Sequence, residues 1–171
     1  MRMKARTTLA ALVLVLGAGP AWAAAELKIG IVHVERIMRE SAPAVRAQKK
    51  IEREFSTRDQ EIQKMVKQAR DLQASLEKDG VTMPESERAK KERELANLNR
   101  DLQRAQREFR EDLNLRRNEE TAQILQKADR VIKQIAEQEK FDLILQQEAV
   151  VYRSPRIDIT DRVIKALDAE K

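Results

Sequence analysis

His33 is the only imidazole in the chain, and there is no cysteine. A zinc or copper site draws several His or Cys ligands together, so a single imidazole reads as a structural side chain, and no metal site is expected. Carboxylates are plentiful, but Glu119, Glu120 and the others read as solvated helix faces. Nothing in their spacing sets two acids in a pocket for acid–base work. There is no nucleophile elbow and no glycine-rich phosphate loop, so neither an enzyme nor a cofactor is expected. What remains is surface chemistry. Between Lys64 and Arg107 there are 11 basic and 8 acidic residues. Lys64, Lys67 and Arg70, then Arg88, Lys90, Lys91 and Arg93, fall near one end of a helical pattern, with Met83 beside them. Two readings stay open: an ordinary solvated face, or a mildly basic tip that meets acidic chains or an anionic membrane surface. Met83 adds a yielding apolar contact to the second.

These residues need elements to hold them, and the composition says which. Charged residues make up 37% of the chain and aromatics 3%, with four Gly and four Pro. That mixture belongs to long helices and coiled coils rather than to one compact core. Without cysteine no disulfide can staple the fold, so packing or oligomerisation must hold it.

The first residues are set apart. Arg2, Lys4 and Arg6 precede an apolar run from Thr7 to Ala18, broken by Gly19 and Pro20 and followed by Ala21-Trp22-Ala23. This is the order of a secretory signal peptide, and the run of about 12 residues is short of the roughly 20 that span a membrane. Cleavage after Ala23 is expected, with Ala25 the alternative. Losing residues 1–23 leaves 31 basic against 29 acidic residues, a net charge of +2. A nucleic-acid binder keeps a much larger excess, so no nucleic-acid partner is expected.

Leu27 to Val34 is apolar on both faces of a period-2 pattern, which predicts a strand buried on both sides. Gly30 within it suits close backbone approach. Glu35 to Glu40 reads as a short helix, and Pro43 suits the first turn of the next one. Phe55, Ile62, Ala69 and Leu76 recur every seven residues to about Lys78, with Ile51, Met65 and Leu72 between them and Arg58 as the charged intruder. Gly80 is the expected left-handed stop. Thr82 and Glu85 suggest a capping box for a second helix from Pro84 to Glu139. Its seam is Leu95, Leu98, Leu102, Ala105 and Phe109, then Leu125, Ala128, Ile132 and Ile135.

The two runs are out of heptad phase. The polar stretch between them, with Asn114, Arg116, Arg117, Asn118, Glu119 and Glu120, is therefore an expected flexible hinge or a hand-over to a new partner. At 1.5 Å per residue the helices are about 54 and 84 Å long, and the short link folds them into an antiparallel hairpin. Phe141–Leu145 and Ala149–Arg153 read as strands, and Thr160 as the N-cap of a last helix. The expected fold is α+β and mostly α: a helical hairpin arm over 43–139 projecting from a β-rich body made of 24–42 and 140–171. Three short strands make a poor core, so copies of the chain are expected to complete the body and close its sheet.

Four stretches carry a resemblance: KIGIV from Lys28, EFSTRDQEIQKM from Glu54, RRNEE from Arg116, and DLILQQEAVVYRS followed by DITDRVIKAL. On these the mature chain resembles the Skp/OmpH family of periplasmic chaperones along nearly its whole length. The resemblance implies a homotrimer whose subunits share a β-barrel body and enclose a cavity between their arms. It also implies a periplasmic holdase that needs no ATP and keeps unfolded outer-membrane β-barrel proteins from aggregating. The alternative is an envelope structural or adaptor protein that docks one fixed partner through the hairpin.

Overall fold

The computed structural model describes residues 27–170. The expected signal peptide and its cleavage sites lie outside the described residues. In chain order come strand β1 (Ile29–Val32), helices α1 (Val34–Glu40), α2 (Ala42–Asp79) and α3 (Glu85–Glu139), strand β2 (Leu143–Gln146), two 3-10 turns (Gln147–Ala149 and Pro155–Ile157) and helix α4 (Thr160–Ala169). The helical expectations hold to within a residue or two. Helix α2 has 38 residues and α3 has 55, so the longer helix overhangs the shorter by several turns.

The seam forms as the heptads predict. Phe55, Ile62 and Ala69 are buried along α2, while Leu76 and the α3 residues Leu95, Leu98, Leu102, Ala105 and Phe109 are half-buried. Phe55 and Phe109 meet edge to face with ring centroids 5.6 Å apart, which fixes the antiparallel register.

The tip departs from expectation. Gly80 is right-handed (φ −59°, ψ −28°), not left-handed. Its amide still donates to the Leu76 carbonyl at 3.0 Å. A Cβ placed there would lie 2.3 Å from that oxygen, so the glycine is needed for close approach rather than for its φ. The Thr82 hydroxyl donates to the Asp79 carbonyl at 3.0 Å and closes α2. No side-chain cap bond forms between Thr82 and Glu85, and Pro84 takes the N-cap position of α3.

At the other end, Lys140 is left-handed (φ 57°, ψ 49°). Its amide donates to Glu137 and that of Phe141 to Ala136, at 3.4 and 2.9 Å. This pair of bonds is a Schellman motif, and it turns the chain into β2.

The sheet is smaller than expected. β1 and β2 pair in parallel, from Ile29 opposite Leu143 to Val32 opposite Gln146. Ile31 also makes a lone bridge to Asp158. Ala149–Arg153 does not form the third strand. Gln147–Ala149 is a 3-10 turn, and Val151 and Tyr152 are fully exposed. The outer edge of β2 stays unpaired among the described residues, and this segment turns away from it. The described residues of a single chain therefore hold a two-stranded sheet and not a barrel.

Burial on both faces of β1 is real for Ile31 and Val32, but Leu27 lies outside the strand and is exposed. Gly30 is where close approach is needed, since a Cβ would lie 3.1 Å from the Phe141 ring and 3.3 Å from Ile159. Val32, Ile37, Ala128, Val131, Ile159, Val163 and Leu167 form the core. The C-terminal run of α3 thus leaves the hairpin seam and packs on α1, α4 and the sheet. The buried register there is Ile124, Ala128 and Val131. Ile132 and Ile135 pack partly against it, and Leu125 points outward, contrary to expectation.

Thr160 is the first residue of α4 rather than its cap. The Asp158 carboxylate accepts from the Thr160 amide and hydroxyl at 2.9 and 2.5 Å. The same hydroxyl accepts from the His33 amide at 2.9 Å, tying the end of β1 to α4.

Candidate functional site

The surface on offer is the arm, and its two halves are held differently. Near the root, ion pairs cross from α2 to α3. Arg58 Nη1 meets Asp112 Oδ2 at 2.7 Å. Arg116 Nε meets Glu54 Oε2 at 3.1 Å, while its other nitrogens reach Glu119 at 2.8 Å and Glu120 at 3.4 Å. Lys50 Nζ also reaches Glu120, at 2.9 Å. Glu120 is only 8% exposed, so its charge is viable because two cations face it. The Glu119 hydrogen bond is the main cause that raises the Arg116 guanidinium above its ordinary value; burial opposes it, and Glu54 and Glu120 add to it.

Open grooves flank this network. One of about 340 Å³ is lined by Phe55, Arg58, Leu115 and Arg116 among others. Another of about 330 Å³ runs over Met38, Ala44, Ala47, Ile51 and Ile124 on the α1 side.

Beyond Arg58 and Asp112 the ion pairs run within α3. Arg88 pairs with Glu85 and Glu92 at 4.0 and 3.2 Å, and Lys91 with Glu87 at 3.4 Å. Lys91 also donates across the hairpin to the Ser75 hydroxyl at 3.2 Å.

The arm-tip residues singled out from the sequence all lie on this outer half. Lys64, Lys67, Arg70, Lys90 and Arg93 are exposed, and Arg93 Nε donates to the Ala89 carbonyl. Arg88 is exposed but paired, Lys91 is half-buried, and Met83 is half-buried in the turn. The structure distributes them over both helices and the turn instead of gathering them into one pocket. Val81, next to Met83, is 95% exposed.

The stretch from Asn114 to Glu120 lies inside the unbroken α3. Arg116, Glu119 and Glu120 belong to the root network, while Asn114, Arg117 and Asn118 face solvent. Sequence reasoning missed Lys50 and Glu54 as their partners, and Asp112 as the partner of Arg58. Only part of the signal was available: Phe55 and Phe109 sit at equal distances from the turn, but Arg116 and Glu120 lie six residues beyond the positions which that alignment sets opposite Glu54 and Lys50. The intruder Arg58 is in the seam because Asp112 answers it.

Chemistry at the body is structural. Among the described residues no group of His, Cys, Asp and Glu is arranged to hold a metal. His33 Nδ1 is buried without a hydrogen bond, 3.8 Å from Glu148. Phe141 lies between Lys28 Nζ, 4.2 Å from its ring centroid, and the Arg162 guanidinium at 5.6 Å. Glu139 binds both cations. Hydrogen bonding from Arg162, more than that from Lys28 and against some desolvation, draws the Glu139 carboxyl below its ordinary range.

The comparisons with known proteins agree with this architecture. The family model described as outer membrane protein (OmpH-like) matches residues 28–167. Chaperone protein Skp of Blochmanniella pennsylvanica is 33% identical over 142 residues, 82% of this chain and 86% of that protein. Chaperone protein Skp of Pectobacterium atrosepticum is 31% identical over 163 residues, 95% of this chain and 98% of that protein. The crystal structure of an OmpH-like protein from Caulobacter crescentus superposes with a TM-score of 0.71 at 20% identity, covering 90% and 88% of the two chains, and so shares the fold. With the family model covering both strands, the first three helices and most of the fourth, the chain belongs to the Skp/OmpH family.

Proposed function

We propose that the chain is a periplasmic holdase that needs no ATP: it binds unfolded outer-membrane β-barrel proteins between the arms of a homotrimer and keeps them from aggregating. The observation that carries this reading is the long hairpin with a one-residue-wide seam, set on a body whose sheet is incomplete. In the outer part of the arm, from Phe55 to Phe109, only Phe55, Ile62 and Ala69 fall below a tenth exposed, and its grooves are open. Such a surface offers many weak contacts and no single tight one, which suits a client that must stay fluid. At the body, the outer edge of β2 is unpaired while Val151 and Tyr152 stand fully exposed. Sister chains pairing there would close the sheet into a shared barrel and remove the free edge. The names of the Skp relatives support the chaperone class.

Within this reading, residues 24–42 and 140–171 form the trimerisation body and 43–139 the arm, and a signal peptide over 1–23 delivers the chain to the periplasm. Lys64, Lys67, Arg70, Met83, Arg88, Lys90, Lys91 and Arg93 meet client segments, or an anionic membrane surface, at the outer half of the arm. The hinge at Asn114–Glu120 is a salt-labile ion network, not a break in α3.

The test dilutes a urea-unfolded β-barrel protein with and without a molar excess of the chain and follows light scattering. Suppression that weakens with salt is expected. No suppression, together with tight, salt-insensitive binding of one folded envelope protein, would replace the holdase by an adaptor. Sedimentation should show three copies; a stable monomer would overturn the shared body.

A further inference from the structure

His33 lies where β1 gives way to α1, and it is the only imidazole in the chain. Its Nδ1 is buried and makes no hydrogen bond. The Glu148 carboxylate stands 3.8 Å from that nitrogen, beyond hydrogen-bond reach but within that of an ion pair. The ring is 30% exposed, so protons reach it from solvent. A neutral imidazole leaves the contact open. An imidazolium, with both ring nitrogens as donors, draws the carboxylate in and closes it. The other charges around His33 are engaged or turned away. On α1, Arg36 binds Glu40 and Asp161, and Glu35 is exposed. Near the start of α4, Asp158 binds Arg153 and Thr160, while Arg162 binds Glu139. β2 carries no charge, and α3 reaches this end of the core through Ala128 and Val131. Glu148 is therefore the carboxylate that the structure leaves to the imidazole.

Glu148 belongs to a strap, Gln147–Arg153, that follows β2. The far end of the strap is tied as well. Arg153 Nη2 meets Asp158 Oδ2 at 2.9 Å, and Arg153 Nε donates to the Gln147 side-chain oxygen. Asp158 in turn accepts from the Thr160 hydroxyl, which accepts from the His33 amide. Ring and backbone of His33 thus address the two ends of one strap. Between those ties stand Val151 and Tyr152, both fully exposed.

We propose that His33 and Glu148 form a pH-sensitive latch, which holds the Gln147–Arg153 strap to the body when the imidazole is charged and frees it when the imidazole is neutral. Imidazoles change charge near pH 6.5, about two units above carboxylates. Against desolvation, hydrogen bonds from Thr160 hold Asp158 below its ordinary value, so the Arg153 tie persists across that window. A latched strap presents Val151 and Tyr152 already ordered, and ordering done in advance strengthens association. Subunits should therefore associate more tightly as the imidazole gains its proton. That consequence, unlike the latch itself, rests on the shared body proposed above.

The experiment follows hydrogen exchange of the Val150 amide, which donates to the Gln147 carbonyl at 3.0 Å within the strap. The whole chain is compared about one pH unit below and one above the imidazole midpoint, with the intrinsic pH dependence of exchange removed. Protection should be about threefold higher at the lower pH. Glu148→Gln, at a half-exposed position, should abolish the difference, and so should His33→Asn. Asp158→Asn should lower protection at both pH values and keep their ratio. Equal protection at the two pH values, or a ratio that survives in Glu148→Gln, would overturn the latch. Sedimentation in the same buffers reads the consequence for assembly. A subunit dissociation constant about threefold lower at the lower pH, with the difference gone in Glu148→Gln, supports it. Equal dissociation constants overturn the effect on assembly. A chain that is monomeric at both pH values overturns the shared body, and the exchange result then decides on the latch alone.

Discussion

The body and the arm solve the same problem in opposite ways. The body is small but packs deeply: Ile37, Ile159, Val163 and Leu167 are completely buried, drawn from α1, the chain before α4, and α4 itself. The arm is long, yet between Phe55 and Phe109 its best-buried side chain, Phe55, is still 7% exposed, and most of that seam is half open. Two helices side by side can bury only one stripe each, whereas three helices and a sheet can surround a side chain. The body should therefore open as one cooperative unit, while the arm opens progressively from its tip. That division suits a rigid platform carrying compliant limbs.

The sharpest way to break this comparison is a pair of truncations. Leu167→Ala leaves a hole that its neighbours cannot fill, and about 2–5 kcal/mol of stability should be lost. Ile62→Ala opens onto solvent and should cost about 1–2 kcal/mol. Urea denaturation measures both. Equal costs would mean that arm and body share one core.

Next in size is Glu120→Gln. It leaves Lys50 and Arg116 facing a neutral amide, and the arm root should loosen by about 1–3 kcal/mol. Hydrogen exchange should rise around residues 112–120 while Val163 and Leu167 keep their protection. Exchange that rises everywhere would deny the separation of the two regions.

Acid should act first on the body. Asp158 is desolvated, which alone would raise its carboxyl. The Thr160 hydroxyl and amide and then Arg153 outweigh that and hold it below its ordinary value. A depressed carboxylate stabilises the fold above its unfolded pKa, about 3.9 for Asp. That stability is lost as pH falls through the lower folded value. Asp158→Asn should accordingly lower Tm at neutral pH, and the gap from the parent should close as the pH drops below about 4. A gap that stays constant with pH would show that the charge of Asp158 does nothing there.

The same contrast explains what the sequence could and could not disclose. The arm was legible because heptads are local: Phe55, Ile62 and Ala69 announce their own spacing, and the helix ends follow to within a residue. The body was only half legible. That β1 pairs with β2 depends on segments more than a hundred residues apart, and Ala149–Arg153 has strand character yet pairs with no strand among the described residues. At the site, the charged types at the root were plain but their pairing was not. Which Glu meets Arg116 depends on how α2 and α3 meet along the whole hairpin, where Phe55 on Phe109, Arg58 on Asp112 and Lys91 on Ser75 all cross. The caps failed for a related reason: the Thr82 hydroxyl turns back to the Asp79 carbonyl, and the Thr160 hydroxyl is engaged by Asp158 and by the distant His33 amide.

The smallest effect lies where the two regions join. Lys140 ends α3 in a left-handed conformation that a side chain with a Cβ adopts at a cost of about 1–2 kcal/mol. Glycine would relieve that cost, although its freer unfolded chain takes part of the gain back. Lys140 is not engaged in any of the ion pairs around Glu139, where Lys28 and Arg162 supply the positive charge. Lys140→Gly should therefore stabilise the protein by about 0.5–1 kcal/mol, seen as a slightly higher urea midpoint with an unchanged slope. Because the Schellman turn sets the angle at which α3 enters β2, the gain should appear as slower exchange in both the last turn of α3 and β2. A gain confined to α3 would mean that arm and body are joined more loosely than the turn suggests.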